Sequence, residues 1–595
     1  MSHYTALTFA PVQGFIERSR KLRDLYGASM ILSYLSQRII EDVDKNFSLP
    51  LISPGAANLG QGVPNRILIK GEYTYDAFRD CLGLSWRRIL KECRLWIERK
   101  ILDNYQWERD WELWGAHTWE VFHGQGDSIT AAMNDLEANK LCRAWVGVNW
   151  IGESSSLSGS DAIAWPGMGA QSRNPKTLRP GVEDKNIGEF YIQLQEKLGE
   201  GFLDASERLS IPELVKRLVT LDDLGKEFKF IEALQLTPLD KNFSDIRRKP
   251  DPAQGIPGQW TAWFMGDGDK VGDHLKALAK EDDDAIAAQS QQIQDAQKSK
   301  DSPPKDEPGT RVQYFSSTIS QWSQTFDQNF KTKQEQRKLG RLIYAGGDDF
   351  LGVLYDWSPY ITNASSSWYA ERKARLQLNA LQWLMGLQKE WREHGLKYTQ
   401  KTGHKKVGDH IGLSVGFVWA GHSVPQRDVL QHCREAETQA KSAGRDRVAL
   451  RVLFNNGQHV QWITPWDWLP VLMQYRDRQG GNNWAHIYGD WADLKARHAV
   501  EPYSTNPNRR DIPEREIALA LFERYFNRSC QAPALPCDAD TVWRKKRQHL
   551  LPEANQPNGA IVDWINDLIE VGWHLCRDLD LSSAVTSQAL NRSAT

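Results

Sequence analysis

The chain has 595 residues, length for about four domains of ~150 residues each, and is 40% hydrophobic. Its 74 basic and 76 acidic residues nearly cancel, which argues against whole-chain attraction to nucleic acid but leaves room for a local basic groove. No apolar run approaches the ~18 residues of a membrane helix and the N-terminus lacks a basic-then-apolar leader, so a soluble cytoplasmic protein is expected.

In chain order, residues 5–10 read as a short strand, followed by a helix whose apolar face is Leu25, Ala28, Leu32, Leu35 and Ile39. Its start is dense in charge: Arg18, Arg20, Lys21, Arg23 and Asp24. That run is either a solvated helix face or a surface that meets phosphate or RNA. A second strand follows Pro64-Asn65-Arg66, and a helix-rich stretch covers about 75–105. Residues 154–185 are rich in Ser, Gly and Pro and read as loop. Helical patterns then return to about 235, as in Ile211-Pro-Glu-Leu-Val-Lys-Arg-Leu.

The next strand, Trp260-Thr-Ala-Trp-Phe, leads into Met265-Gly-Asp-Gly-Asp-Lys270. Residues 281–310 are acidic, then Gln-rich, then Lys/Pro-rich, and read as a solvated, flexible insertion. Removing it leaves a comfortable strand–helix–hairpin interval before Arg341-Leu-Ile-Tyr-Ala-Gly-Gly-Asp-Asp-Phe350. A helix near 370–394, a strand at 410–419, an amphipathic helix at 428–444 ending at Gly444, and a strand at 448–454 follow. Beyond 455 the chain looks mainly helical. The 25 tryptophans, many in 145–165 and 462–491, suit core packing, with base stacking as the alternative. The seven cysteines form no Cys-x-x-Cys pair and read as reduced thiols.

The chemistry concentrates at Gly346-Gly347-Asp348-Asp349. Flanking apolar runs and two glycines predict a tight hairpin tip. Alone it is compatible with an ordinary turn. With Asp267 at the end of an adjacent strand, however, three hard-oxygen ligands can converge, as two divalent ions in nucleotidyl transfer require. Gly268 and Gly272 leave backbone N–H groups free for phosphates, beside a helix N-terminus. Asp269 lies where the strand already turns. Lys441 and Arg445 either reach a polyphosphate or cap their own helix.

These residues carry a resemblance. The region resembles nucleotide-cyclase and GGDEF diguanylate-cyclase palms, and more closely the large subunit of type III CRISPR effector complexes, especially the III-B (Cmr) branch. Met265-Gly-Asp-Gly-Asp-Lys-Val-Gly272, Tyr344-Ala-Gly-Gly-Asp-Asp-Phe350, Leu413-Ser-Val-Gly416 and Glu435-Ala-Glu-Thr-Gln-Ala-Lys-Ser-Ala-Gly-Arg445 carry it. Pro11-Val-Gln-Gly-Phe-Ile-Glu-Arg-Ser-Arg-Lys-Leu-Arg-Asp-Leu-Tyr-Gly-Ala-Ser29 is similar to the start of that family's first palm.

The resemblance implies an α+β fold: two ferredoxin-like (βαββαβ) palms with helical middle and C-terminal domains. The expected bounds are 1–153 for a first palm without an acidic hairpin, 154–256 for the connecting domain, 257–455 for the second palm, and 456–595. It further implies target-RNA-activated joining of ATP into cyclic oligoadenylates. Asp267, Asp348 and Asp349 would hold two Mg²⁺ or Mn²⁺ ions. Gly268, Asp269, Gly346, Gly347, Ser414, Lys441, Arg445 and Ser29 would contact ATP. Other Cmr-type subunits, a CRISPR guide RNA and target RNA are the implied partners. No His-Asp dipeptide occurs, so HD-type DNase activity is not expected. The stretch 150–169 has no cysteine, so no structural zinc is expected. A non-catalytic scaffold subunit and a stand-alone dinucleotide cyclase are the competing readings.

Overall fold

A computed structural model describes residues 3–54, 65–143, 149–228 (apart from 175, 177, 179, 180, 182, 200, 201 and 205), 248–299, 311–331, 340–356, 364–394, 397, 410–501, 512–526 and 557–579. The first unit runs β1 (Tyr4–Ala10), α1 (Val12–Glu17), α2 (Leu22–Lys45), β2 (Leu51–Ser53), β3 (Ile67–Lys70), α3 (Tyr75–Lys100), α4 (Glu108–His117), β4 (Glu120–Gly126) and α5 (Ile129–Leu141). Its strands lie in the order β2-β3-β1-β4, with β1 antiparallel to both neighbours. This is the ferredoxin-like order. Strand β1 shows no apolar/polar alternation because both its faces are covered. Tyr4 and Ala6 enter one core while Leu7 and Phe9 enter another, as successive side chains of a strand must.

Helix α2 buries its predicted face, from Leu25 to Ile39. Its charged start is divided: Arg18 and Arg20 are exposed, and the rest is turned inward. Arg23 and Asp24 are buried, and Arg18 and Lys21 pair with Asp161 and Asp204 at 3.1 and 3.0 Å. Their partners lie in the middle region, where α6 (Asp184–Leu198), α7 (Ile211–Leu218) and α8 (Asp222–Glu227) form the expected helical connection. Helix α7 opens with a Ser210/Glu213 capping box and Pro212 in its first turn.

The second unit runs β5 (Thr261–Gly268), α9 (Val271–Ser299), α10 (Arg311–Lys331), β6 (Gly340–Gly346), β7 (Asp349–Leu354), α11 (Ser366–Glu393), β8 (Leu413–Ala420), α12 (Gln426–Ser442), β9 (Arg447–Leu453) and β10 (His459–Pro465). Its sheet order is β10-β9-β8-β5-β7-β6. The four strands β8-β5-β7-β6 are antiparallel and repeat the ferredoxin-like order. Helix α12 then crosses over to β9, parallel to β8, and β10 pairs antiparallel with β9. The stretch just past 455, expected to be helical, is thus a sixth strand of this sheet.

Residues 281–299 differ from the expected flexible insertion. They are helical, as the second half of α9; residues 300–310 lie outside the described residues. The acidic run is put to use there. Asp283 accepts from the N–H groups of Ile129 and Thr130 (2.8 and 2.9 Å), at the start of α5. Asp282 accepts from Arg311 and Val312 (2.8 and 3.1 Å), at the start of α10. Carboxylates at helix N-termini satisfy orphan donors and oppose the helix dipole. One of these caps ties the first unit to the second.

The C-terminal region contributes α13 (Val471–Gln474), α14 (Ala485–Ala496), α15 (Ile512–Phe526) and α16 (Pro557–Cys576). Trp462, Trp466, Trp484, Trp491 and Trp564 are buried in the core that continues under the second sheet, which is the packing role expected of them.

Candidate active site

Strand β5 ends at Gly268 and places Asp267 opposite Ser414 of β8. On its other side β5 pairs with β7 through Gly266 and Phe350. One residue further in that register, Asp267 faces Asp349. The hairpin β6–β7 closes through the pair Gly346–Asp349, so Gly347 and Asp348 form a two-residue turn. Gly347 has φ +84°, the positive value that the first position of a II′ turn needs. Gly268 is required for a different reason. A Cβ there would lie 2.8 Å from Val271 Cγ2 and 3.0 Å from Asp348 Cβ, so any larger residue would push its neighbours, the hairpin tip among them, back from β5.

The three predicted carboxylates therefore meet at one sheet end. Asp348 is half-buried and Asp349 exposed, so the site is reachable from solvent. Desolvation first, and then the charge of Asp267, push the Asp348 carboxyl up to about 8. Desolvation and a hydrogen bond shared with Asp267 push Asp349 well above the usual carboxylate range. Like charges this close cannot all ionise without a cation. Lys441 supplies one. Its ammonium pairs with both Asp267 and Glu437, and despite desolvation their charges hold it above the usual lysine range. Lys441 thus reaches the site instead of capping α12. Glu437 was not anticipated; its signal was the i,i+4 spacing to Lys441 on one helix face.

Two predicted ATP contacts have a different place. Asp269 and Ser414 are buried against each other, with Ser414 Oγ donating to Asp269 Oδ1 at 2.6 Å. Asp269 also accepts from the backbone N–H of Asp446 at 2.7 Å, and its own N–H donates to the Gly412 carbonyl at 2.8 Å. These bonds brace the end of β5 against β8 and the turn after α12. Arg445 is exposed in that turn, with φ +62° and its N–H on the Ala440 carbonyl, which is a helix-end geometry. Ser29 is buried in α2, one turn beyond Tyr26, whose hydroxyl donates to the Leu342 carbonyl of β6 at 2.9 Å. Gly346 and Gly347 are at the hairpin as expected.

The donor set suits hard divalent cations, being three neighbouring carboxylates with one ammonium paired to both Asp267 and Glu437. No three acidic, histidine or cysteine side chains among the described residues are placed to form a coordination sphere as they stand. A cation entering here must share Asp267 with Lys441 or displace it.

Comparison with known proteins fits this geometry. Residues 260–449 match the profile for the Cas10/Cmr2 second palm domain. Residues 4–59 match that for the N-terminal region of the CRISPR-associated protein Cmr2. The chain carries Cas10/Cmr2 domains. The Cas10/Cmr2 second palm is the sheet that holds Asp267, Asp348 and Asp349. A type III-B Cmr-beta complex solved in its apo state aligns with TM-score 0.51 and 12% identity, over 96% of this chain and 82% of that one. The same type of complex bound to cognate target RNA gives TM-score 0.49 and 12% identity, over 96% and 83%. A type III-A Csm1–Csm4 subcomplex gives 0.41 and 14%, over 96% and 70%. The first of these likenesses shows a shared fold. No curated relative matches the chain. No described helix is long and apolar enough to cross a membrane.

Proposed function

We propose that this Cas10/Cmr2 protein joins ATP molecules into cyclic oligoadenylates as the large subunit of an RNA-guided type III-B complex. Target RNA paired with the guide is the activator, and the other Cmr-type subunits are its partners. The observation that carries the reading is the meeting of Asp267, Asp348 and Asp349 at one accessible sheet end, their charges incompletely neutralised. In each transfer the 3′-oxygen of one ATP forms a bond to the α-phosphorus of the next, the bond to the pyrophosphate oxygen breaks, and the 3′-hydroxyl proton leaves to solvent. Two divalent ions held by these carboxylates would lower the hydroxyl pKa and take up charge on the leaving pyrophosphate. Lys441 stands beside Asp267, where it can follow the phosphate charge as a donor of three N–H bonds. Asp269 and Ser414 hold β5 in register beneath.

The test is incubation of the assembled complex with guide, cognate target RNA, ATP and Mg²⁺, with products resolved by mass spectrometry. Cyclic adenylates are expected, with a loss of at least ~100-fold in the Asp348→Ala/Asp349→Ala variant. RNA binding without any turnover identifies a scaffold. A preference for GTP, with activity in the isolated chain, identifies a dinucleotide cyclase.

A further inference from the structure

The acidic site stands on a core that two units of the chain share. Alternate residues of a strand lie on one face of its sheet. Trp263 of β5 therefore lies on the face of Asp267, and Leu351 and Val353 of β7 lie on the face of Asp349. These three apolar residues form one cluster with Leu22, Leu25 and Tyr26 of α2. The floor of the site thus comes partly from the first unit, although all three carboxylates belong to the second.

Strand β6, which carries the other arm of the hairpin, breaks the alternation. Leu342 pairs with Gly352 but Tyr344 with Leu351, so Ile343 is an extra residue and the strand has a β-bulge. Leu342 and Ala345 pack into the core on one side, whereas the consecutive residues Ile343 and Tyr344 both pack on the α2 side. The bulge therefore decides on which face Tyr344 and the hairpin after it sit.

Tyr26 stands at this irregularity. It is buried and belongs to the same cluster as Ile343 and Tyr344. Its hydroxyl donates to the Leu342 carbonyl at 2.9 Å, immediately before the extra residue. A bulge disrupts the ladder locally, so a bond from outside the sheet has more weight here than along a regular strand. From there the path to the carboxylates is short. The Tyr344 hydroxyl lies 3.4 Å from the Gly346 carbonyl oxygen, and a Cβ on Gly346 would collide with it. Gly346 in turn pairs with Asp349 and closes the turn that holds Asp348.

We propose that Tyr26 is a positioning residue of the acidic site. By holding the Leu342 carbonyl it fixes the β6 bulge and, through Tyr344 and Gly346, the place of Asp348 and Asp349 relative to Asp267. The consequence for metal binding rests on the proposed nucleotidyl-transfer function; the bracing of the hairpin does not.

Tyr26→Phe tests it, since it keeps the ring and removes the hydroxyl. Hydrogen–deuterium exchange on the full chain should show residues 342–350 exchanging about three- to tenfold faster in this variant, the effect of one lost hydrogen bond, with α12, β9 and β10 unchanged. Mn²⁺ titration of the full chain, followed by electron paramagnetic resonance, should show binding weakened about three- to tenfold. A mere loss of folded protein would lower the amount of Mn²⁺ bound and leave its affinity unchanged. Exchange in 342–350 that does not change, or a rise spread evenly over the chain, overturns the proposal. Asp267→Ala separates this failure from that of the proposed function. If Asp267→Ala abolishes Mn²⁺ binding while Tyr26→Phe leaves the affinity unchanged, Tyr26 does not position the site and the proposal falls. If Asp267→Ala binds Mn²⁺ as the wild type does, the metal reading of the acidic site falls, and the exchange at 342–350 decides on Tyr26 by itself.

Discussion

Two of the charge clusters among the described residues are resolved in opposite ways. At the junction of α2 and the middle region, Arg217 spends all five of its N–H donors. It bonds both oxygens of Asp24 (2.6 and 3.2 Å), both oxygens of Glu207 (2.6 and 2.9 Å) and the Phe202 carbonyl (2.8 Å). Burial alone would push Asp24 up; Arg217 and the N–H groups of Lys21 and Arg20 more than offset it, and Asp24 ends below the usual range. Arg23 adds a bond to Thr220 and lies 3.3 Å from the Phe202 ring centroid. At the sheet end, Asp267, Asp348 and Asp349 stand beside one ammonium, and Asp348 and Asp349 end above the usual range. Paired charge locks an interface, whereas charge left incompletely paired attracts a cationic ligand.

The largest effect should come from breaking the closed cluster. Arg217→Ala leaves Asp24 and Glu207 buried without their partner, and such losses cost about 3–5 kcal/mol. Urea unfolding of the isolated chain should show that loss. A drop below ~1 kcal/mol would mean that water replaces the guanidinium and the cluster is not a lock.

The open cluster should respond with the opposite sign. Asp348→Asn replaces a carboxyl that the apo fold holds largely protonated below pH 8 but that ionises freely in the unfolded chain, so the apo protein should gain stability near neutral pH, on the order of 1 kcal/mol, while nucleotidyl transfer falls by at least ~100-fold. Mg²⁺ should raise the melting temperature of the wild type, and EDTA should cancel the rise; Asp267→Ala should abolish it. Equal Mg²⁺ stabilisation in Asp267→Ala would place the ion elsewhere. Lys441→Met should destabilise the apo protein by removing the internal cation, and Mg²⁺ should recover more than it does in the wild type.

These contrasts also show what the sequence could reveal. The hairpin was legible because Gly347 must take a positive φ and Asp348 and Asp349 follow it at fixed spacing. Asp267 was legible from the strand that precedes it. The α2 face was legible because a 3.6-residue period needs only local sequence. The destination of Arg23 and Asp24 was not, because their partners Thr220 and Arg217 lie nearly 200 positions away in a region without a motif. The helical state of 281–299 was hidden by its polarity. Asp282 and Asp283 look like solvated charge until the N-termini of α10 and α5 are seen against them. Asp269 and Ser414 carried a motif, yet pairing across β5 and β8 turned them toward each other.

The smallest predicted effect lies beside the closed cluster. Lys216 is buried, and its ammonium donates to the carbonyls of Phe15 and Arg18. Desolvation first, only partly offset by Asp24 and Glu213, lowers its pKa from 10.5 to about 8. Between those two values the unfolded chain binds the proton and the folded chain has largely released it. Stability therefore rises with pH across that window, and below pH 8 the penalty of the buried charge is fully present. Other groups titrate in the same range, so the informative quantity is the wild type minus Lys216→Met difference in unfolding free energy. From pH 7.5 to 9 that difference should move in favour of the wild type, by on the order of 1 kcal/mol. A flat difference would mean that Phe15, Arg18, Asp24 and Glu213 together hold the ammonium as well as water does, and that Lys216 belongs to the paired cluster.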